Sequence, residues 1–105
     1  MTSTTPPRRR NRRTRAFKKL FDKLPTSVQA IAEAVFKRFC ADPTFPALDN
    51  RALKDTAKGQ HRCGSFKVSI TQRYRAIYVV DEPSNTNVWY WIGSHEDYNS
   101  FTGNL

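Results

Sequence analysis

Two incompatible hydrophobic periods divide the chain. Phe17, Leu20, Phe21 and Leu24 recur at helical spacing, and Val28, Ile31, Val35 and Phe39 repeat it, with Ala32 and Phe36 beside them. From Phe66 the period is two: Phe66, Val68 and Ile70 alternate with Lys67, Ser69 and Thr71. A helix exposes one stripe and a half-buried strand exposes one face, so each half needs the other to cover its apolar side. The pattern predicts an α+β fold, a helical hairpin packed on a small antiparallel β-sheet.

The boundaries follow from turn chemistry. Pro25 stops the first helix. Thr26 or Ser27 is placed to cap the second, with Gln29 as capping-box partner. That helix should end by Ala41, because Pro43 disfavours helix at Asp42. Residues 42 to 61 read as a connector with one helical turn near 48 to 53. Strands are expected at 66 to 70, 74 to 80 and 88 to 92, the last interior because both its faces are apolar or aromatic. Residues 95 to 101 should form a short helical element. The first hairpin has two possible registers. A loop of Thr71, Gln72 and Arg73 sets Ile70 opposite Tyr74 and Ser69 opposite Arg75, whereas a two-residue turn would bury Arg75. Burying an unpaired guanidinium is costly, so the three-residue loop is favoured. Lys67, Ser69 and Arg75 then share the face left uncovered by the helices.

Charge is segregated. Of the 105 residues, the first 23 hold nine basic side chains and one acid, Asp22; the rest hold nine and eight. Residues 1–15 carry no periodic apolar positions and read as a disordered Arg-rich arm, unable to bury enough surface to offset its ordering entropy. Residues 16–105 form the single folded domain. An arginine run of this kind condenses on phosphate by counterion release, unless it is only a solvated tail. No apolar run follows the arm, so no Sec or twin-Arg export signal is expected, and no segment is long enough to span a membrane. Cys40 and Cys63 suit free thiols in a reducing cytoplasm and make no zinc site. The absence of a P-loop, GxGxxG, HExxH or GxSxG sequence argues against NTP, nicotinamide, zinc-protease and serine-hydrolase chemistry, so no cofactor and no metal is expected.

One region concentrates possible chemistry. Residues 62 to 75 hold Arg62, Lys67, Arg73 and Arg75 and no acid, which suits phosphate or is merely a charged outer sheet face. His95 follows the most apolar strand, with Tyr98 three residues on, and an imidazole beside cations can move a proton near neutral pH. His61, in the polar connector, reads as incidental.

The ordered set Leu53-Lys54, Phe66-Lys67-Val68, Arg73-Tyr74-Arg75-Ala76-Ile77-Tyr78 and Trp91-Ile92-Gly93-Ser94-His95-Glu96-Asp97-Tyr98 resembles the RelE/ParE superfamily of bacterial toxins. The nearest likeness is to small RelE-like members ending in Gly-(Ser/Thr)-His-x-x-Tyr. The resemblance implies the toxin component of a type II toxin-antitoxin system, a metal-independent, ribosome-dependent mRNA endoribonuclease in which the message's own 2′-OH attacks the adjacent phosphate. It implies mRNA, the ribosomal A site with its rRNA, and a cognate antitoxin as partners. By the same resemblance Arg75 and Lys67 hold the phosphate and His95 is the general acid. Tyr98 or Phe101 stacks on a base, and Arg62, Arg73 and Lys54 contact substrate. Ser69 stands where some members carry a second lysine, no general base is evident apart from His95, Glu96 or Asp97, and no strand is evident before Phe17. Three rivals stand beside this reading. One is a ParE-like gyrase inhibitor, which needs no basic and histidine cluster. Another is a non-catalytic RNA- or DNA-binding module using exposed Trp89 or Trp91 as stacking surfaces, although burial suits at least one of them. The third is an inactive, degenerate toxin-like protein.

Overall fold

The computed structural model describes residues 9–103. In chain order they form β1 (Arg10–Arg13), α1 (Arg15–Asp22), α2 (Thr26–Ala41), a 3-10 turn (Pro46–Leu48), β2 (Arg51–Ala52), β3 (Ser65–Ser69), β4 (Tyr74–Asp81), β5 (Thr86–Ser94) and α3 (His95–Thr102). The sheet runs β1-β5-β4-β3-β2, with β1 parallel to β5 and the other pairs antiparallel. The α+β class holds, but the sheet is mixed and has five strands rather than three.

The largest departure is at the start. Arg10–Arg13, expected to be part of a disordered arm, pairs with Thr86 to Trp89. Its polar residues earn that place by alternation. Asn11 and Arg13 face the helices: the Asn11 side-chain oxygen Oδ1 accepts from the Trp89 indole at 3.0 Å, and the Arg13 guanidinium lies 4.3 Å from the Phe36 ring centre and 2.7 Å from Glu33. A strand stabilised by one indole hydrogen bond and a guanidinium on aromatic rings leaves no apolar period to read. Residues 1–8 of the expected arm lie outside the described residues.

Thr14 caps α1, its hydroxyl accepting from the Phe17 N–H at 3.1 Å. The expected capping box on α2 does not form: Pro25 occupies the cap position, without a side-chain bond. Gln29 instead reaches back and donates to the carbonyls of Phe21 (3.0 Å) and Leu24 (3.2 Å), satisfying acceptors left free where α1 ends. The α2 stripe is also rotated. Ala32, Phe36 and Phe39 are buried, while Ile31 is 43% exposed. The sheet decides this, because Trp89 presses edge-on against both Phe36 (4.7 Å) and Phe39 (5.0 Å). Each such aromatic pair contributes about 0.5–1.5 kcal/mol beyond area burial. Both Trp89 and Trp91 are buried, so neither serves as an open stacking surface.

The β3–β4 hairpin takes the favoured register, Ser69 opposite Arg75, with the Ile70 N–H donating to the Tyr74 carbonyl at 3.0 Å. Between β4 and β5 the register slips: Ile77 pairs with Trp91 but Tyr78 with Trp89, leaving Tyr90 unpaired. This bulge turns two successive aromatics, Tyr90 and Trp91, to the outer face. There they join Ile77 and Tyr98 in a second cluster, with Phe101 packed against it. The face opposite the hairpin is therefore partly covered by α3, not open throughout. β5 also runs through Gly93 and Ser94, past its expected end at 92; the Ser94 hydroxyl then caps α3, accepting from the Asp97 N–H at 3.1 Å. Among the described residues no helix is long and apolar enough to cross a membrane.

Candidate nucleic-acid cleavage site

The β4–β5 ladder builds the site's frame. Arg75 lies opposite Gly93, and the His95 N–H donates to the Arg73 carbonyl at 2.6 Å. The start of α3 is thus pinned to the β3–β4 turn. The Arg75 guanidinium donates to the Thr71 carbonyl (2.5 Å) and the Tyr74 carbonyl (3.0 Å), and among the described residues no carboxylate is in an ion pair with it. Backbone acceptors orient it without cancelling its charge.

His95 is exposed at the first turn of α3. Its Nδ1 lies 3.5 Å from the Asn99 amide, and its ring stacks on Tyr98 at 6.5 Å between centres. Tyr98 was expected as a base-stacking surface. It is only 8% exposed, with Trp91 (6.2 Å) against it as well as His95. Burial pushes its hydroxyl pKa up, with Arg75 and Arg51 pulling it down and Asp49 raising it. Tyr98 therefore packs with Trp91 and His95 rather than offering a free ring. Phe101 is occupied too, stacked on Trp91 at 5.2 Å. Gly93 is required beneath this cluster, since an added Cβ would lie 2.8 Å from a Trp91 ring carbon.

Lys67 departs furthest from expectation. Its side chain is 10% exposed, and its ammonium donates to Asp49 at 2.6 Å and to the Ser69 hydroxyl at 3.2 Å. The cause is register. Lys67 sits directly opposite Arg51, an unfavourable pairing of like charges. Asp49, in the left-handed conformation (φ 46°) that Asp tolerates, faces both: its carboxylate takes Arg51 Nε at 2.7 Å and a second guanidinium nitrogen at 2.8 Å. The two cations hold the Asp49 carboxyl far below the usual carboxylate range, the hydrogen bond from Arg51 contributing most and that from Lys67 next. Lys67 is thus a compensated cation, not a bare one. Neither Asp49 nor Arg51 carried a sequence signal. They lie 18 and 16 positions from Lys67, and only the β2–β3 pairing joins them.

The remaining candidates spread out. Arg73 and Lys54 are exposed, Lys54 on a cleft of about 370 Å³ that also takes in Arg51, Lys67 and Tyr98. Arg62 lies across the sheet face, its guanidinium 4.6 Å from the Tyr90 ring centre. His61 is structural: it is buried, and its Nε2 lies 3.0 Å from the Lys54 carbonyl. Among the described residues no three His, Cys, Asp or Glu side chains gather as a metal-ligand group. Cys40 and Cys63 form no disulfide, and the Cys63 thiol donates to Asp55, which pushes its pKa up.

A helical hairpin on one face of a small mixed sheet, with a C-terminal helix on the other, is the architecture defined here. No protein-family model matches the chain and no curated protein matches it, but solved structures share its backbone. Against the RelBE2 toxin-antitoxin complex of Mycobacterium tuberculosis the TM-score is 0.60 at 21% identity, covering 84% of this chain and 99% of that one. The RelE-RelB complex of Pyrococcus horikoshii gives 0.60 at 15%, covering 82% and 93%. The isolated RelE toxin of E. coli gives 0.58 at 13%, covering 92% and 99%. The chain has the fold of the RelE toxins.

Proposed function

We propose that this protein is the toxin of a toxin-antitoxin pair and acts as a metal-independent endoribonuclease on mRNA in the ribosome. One observation carries the reading: an uncancelled guanidinium, Arg75, and an exposed imidazole, His95, are tied to the same end of the sheet by the 2.6 Å bond between the His95 N–H and the Arg73 carbonyl. Transesterification by a neighbouring 2′-OH needs little more than this. The 2′-hydroxyl gives its proton to solvent water as its oxygen bonds to phosphorus and the bond to the 5′-oxygen breaks, leaving a 2′,3′-cyclic phosphate. Negative charge builds on the phosphoryl oxygens, where a fixed guanidinium stabilises it. The leaving 5′-oxygen needs a proton, which an imidazole can give near neutral pH. In this reading Arg75 and His95 are the catalytic pair, Tyr98 positions His95, and Lys67 adds charge only to the extent that Asp49 leaves it uncompensated. Arg73, whose carbonyl holds the His95 N–H, and Lys54, on the cleft with Tyr98, are exposed cations read here as contacting the message. The partner expected to silence the protein is an antitoxin chain, as in the RelBE complexes that share the fold.

The test is induction of the full chain in growing bacteria beside Arg75→Ala and His95→Ala, with mapping of mRNA 5′ ends. Cuts at codon positions in the wild type, reduced by roughly a hundredfold or more in each variant, are expected. Absence of wild-type cuts, or cuts that persist in both variants, would overturn the reading. Inhibited gyrase supercoiling in their place would select the ParE-like alternative.

A further inference from the structure

Two cations face each other across the edge of the sheet. Arg51 of β2 pairs with Lys67 of β3, and like charges placed directly opposite repel. One carboxylate resolves the conflict. Asp49 Oδ1 accepts from Arg51 Nε at 2.7 Å, and Oδ2 accepts from a second Arg51 nitrogen at 2.8 Å and from Lys67 Nζ at 2.6 Å. A guanidinium fork and an ammonium closed around two oxygens of one anion would take two oxygens of a phosphate in the same way. The turn that brings Asp49 here does not depend on these bonds. Its own N–H donates to the Pro46 carbonyl at 3.1 Å, and Leu48 before it is buried. Asn50 after it accepts from the Tyr78 hydroxyl at 3.0 Å and donates to the Pro43 carbonyl at 3.2 Å. The backbone is fixed from both sides, and only the carboxylate, 40% exposed, has room to swing into solvent.

This seat lies beside the proposed cleavage site. Lys67 Nζ also donates to the Ser69 hydroxyl at 3.2 Å, and Ser69 pairs with Arg75. Lys67 and Arg75 are therefore diagonal neighbours on adjacent strands, about 7–8 Å apart along the backbone and turned to the same face. The cleft that carries Tyr98 opens onto both Arg51 and Lys67. An ion pair this exposed is weakly held, because solvent screens it and long side chains give up freedom to form it. We propose that Asp49 is an internal stand-in for a backbone phosphate of the message: its carboxylate occupies an anion seat formed by Arg51 and Lys67, and a strand bound at Arg75 displaces it. Until then the carboxylate keeps the two cations arranged and lowers their attraction for other polyanions. Asp49 is thus a positioning residue that acts through Lys67 and Arg51. That the displacing group belongs to a message rests on the proposed function; the seat itself rests on the β2–β3 register and the hydrogen bonds to Asp49.

The probe is a fluorescently labelled single strand of 2′-deoxynucleotides, which offers phosphates but no 2′-OH with which to be cut. In the full chain, Asp49→Asn should bind it about tenfold more tightly at low salt and steepen the log–log salt dependence by about one. On ribosomes programmed with mRNA, the same variant should lower KM about tenfold and leave kcat within about twofold, because ground state and transition state gain equally. The control is Asp22→Asn, which makes the same charge change at an exposed position of α1 and should shift affinity much less. In an Arg51→Gln/Lys67→Gln background the gain from Asp49→Asn should vanish. Equal gains in Asp49→Asn and Asp22→Asn would mean that net charge alone is at work and would overturn the seat, as would a gain that survives the loss of both cations. Unchanged or weaker binding, or a fall in kcat at constant KM, would make Asp49 a mere prop for Lys67 and overturn the proposal too. Should Asp49→Asn lose its fold by circular dichroism, Asp49→Gly, which suits the φ of 46°, carries the same test. Failure of the nuclease reading would show separately, as absent mRNA cuts beside an intact tightening on the deoxy strand.

Discussion

The two faces of the sheet are built from similar residues to different ends. On the helix side, Phe17, Phe36, Phe39, Tyr78 and Trp89 interlock into a closed aromatic core. On the α3 side, Ile77, Tyr90, Trp91 and Tyr98 form a smaller cluster bordered by Lys67, Arg75, Arg62 and His95. The first face excludes charge except Arg13, which enters by lying on aromatic rings. The second tolerates charge because a short helix covers it only in part. On the proposed reading, stability and chemistry fall to different side chains: substitutions within either aromatic cluster should act on folding, those of Arg75 and His95 at the border of the outer one on activity.

Trp89→Ala should break this contrast most severely. It removes the hub of the inner core and leaves the Asn11 side-chain oxygen without its indole donor, costing about 3–5 kcal/mol, which denaturant unfolding would read. Gly93→Ala tests the outer face as a packed surface. Its Cβ would meet the Trp91 ring, so a loss of about 1–3 kcal/mol is expected by thermal unfolding. If stability were unchanged, the outer cluster would be looser than described. Asp49→Asn keeps the left-handed turn but removes the charge holding Lys67 and Arg51. Because its carboxylate is 40% exposed, solvent screens the effect to about 1 kcal/mol at neutral pH. The direction with pH is definite. The folded-state pKa lies below the unfolded value, so the contribution is present above about pH 4 and declines as pH falls below it toward the folded value. Acid unfolding of Asp49→Asn should therefore begin from a lower plateau and lose less on acidification than wild type. Arg75→Ala sharpens the contrast from the other side, with a stability change under about 1 kcal/mol in the same unfolding measurement alongside the collapse of mRNA cutting described above.

Much of this arrangement was legible in the residues. The switch of hydrophobic period separated helices from strands, Pro25 and Pro43 bounded them, and the penalty on a buried guanidinium selected the register that sets Ser69 opposite Arg75. His95 at the exit of β5 and Arg75 beside the hairpin turn were likewise found from local pattern. β1 was not, because its strand is held by side-chain hydrogen bonding and cation–aromatic contact, which leave no apolar alternation. The compensation of Lys67 was hidden for a related reason. A charge is cancelled by whatever lies beside it in space, and Asp49 arrives there through a two-residue strand and a left-handed turn too short to leave a period.

What the chain's order of residues determined alone was the type of each main element and the alternation that turns Lys67 and Arg75 away from the helices, because these depend on neighbours one to four positions apart. Tertiary structure decided which cations stay uncancelled, which aromatic rings stay free and how far α3 covers the outer face. Those outcomes depend on strand register and on a bulge between β4 and β5, where contacts distant along the chain set burial and charge together.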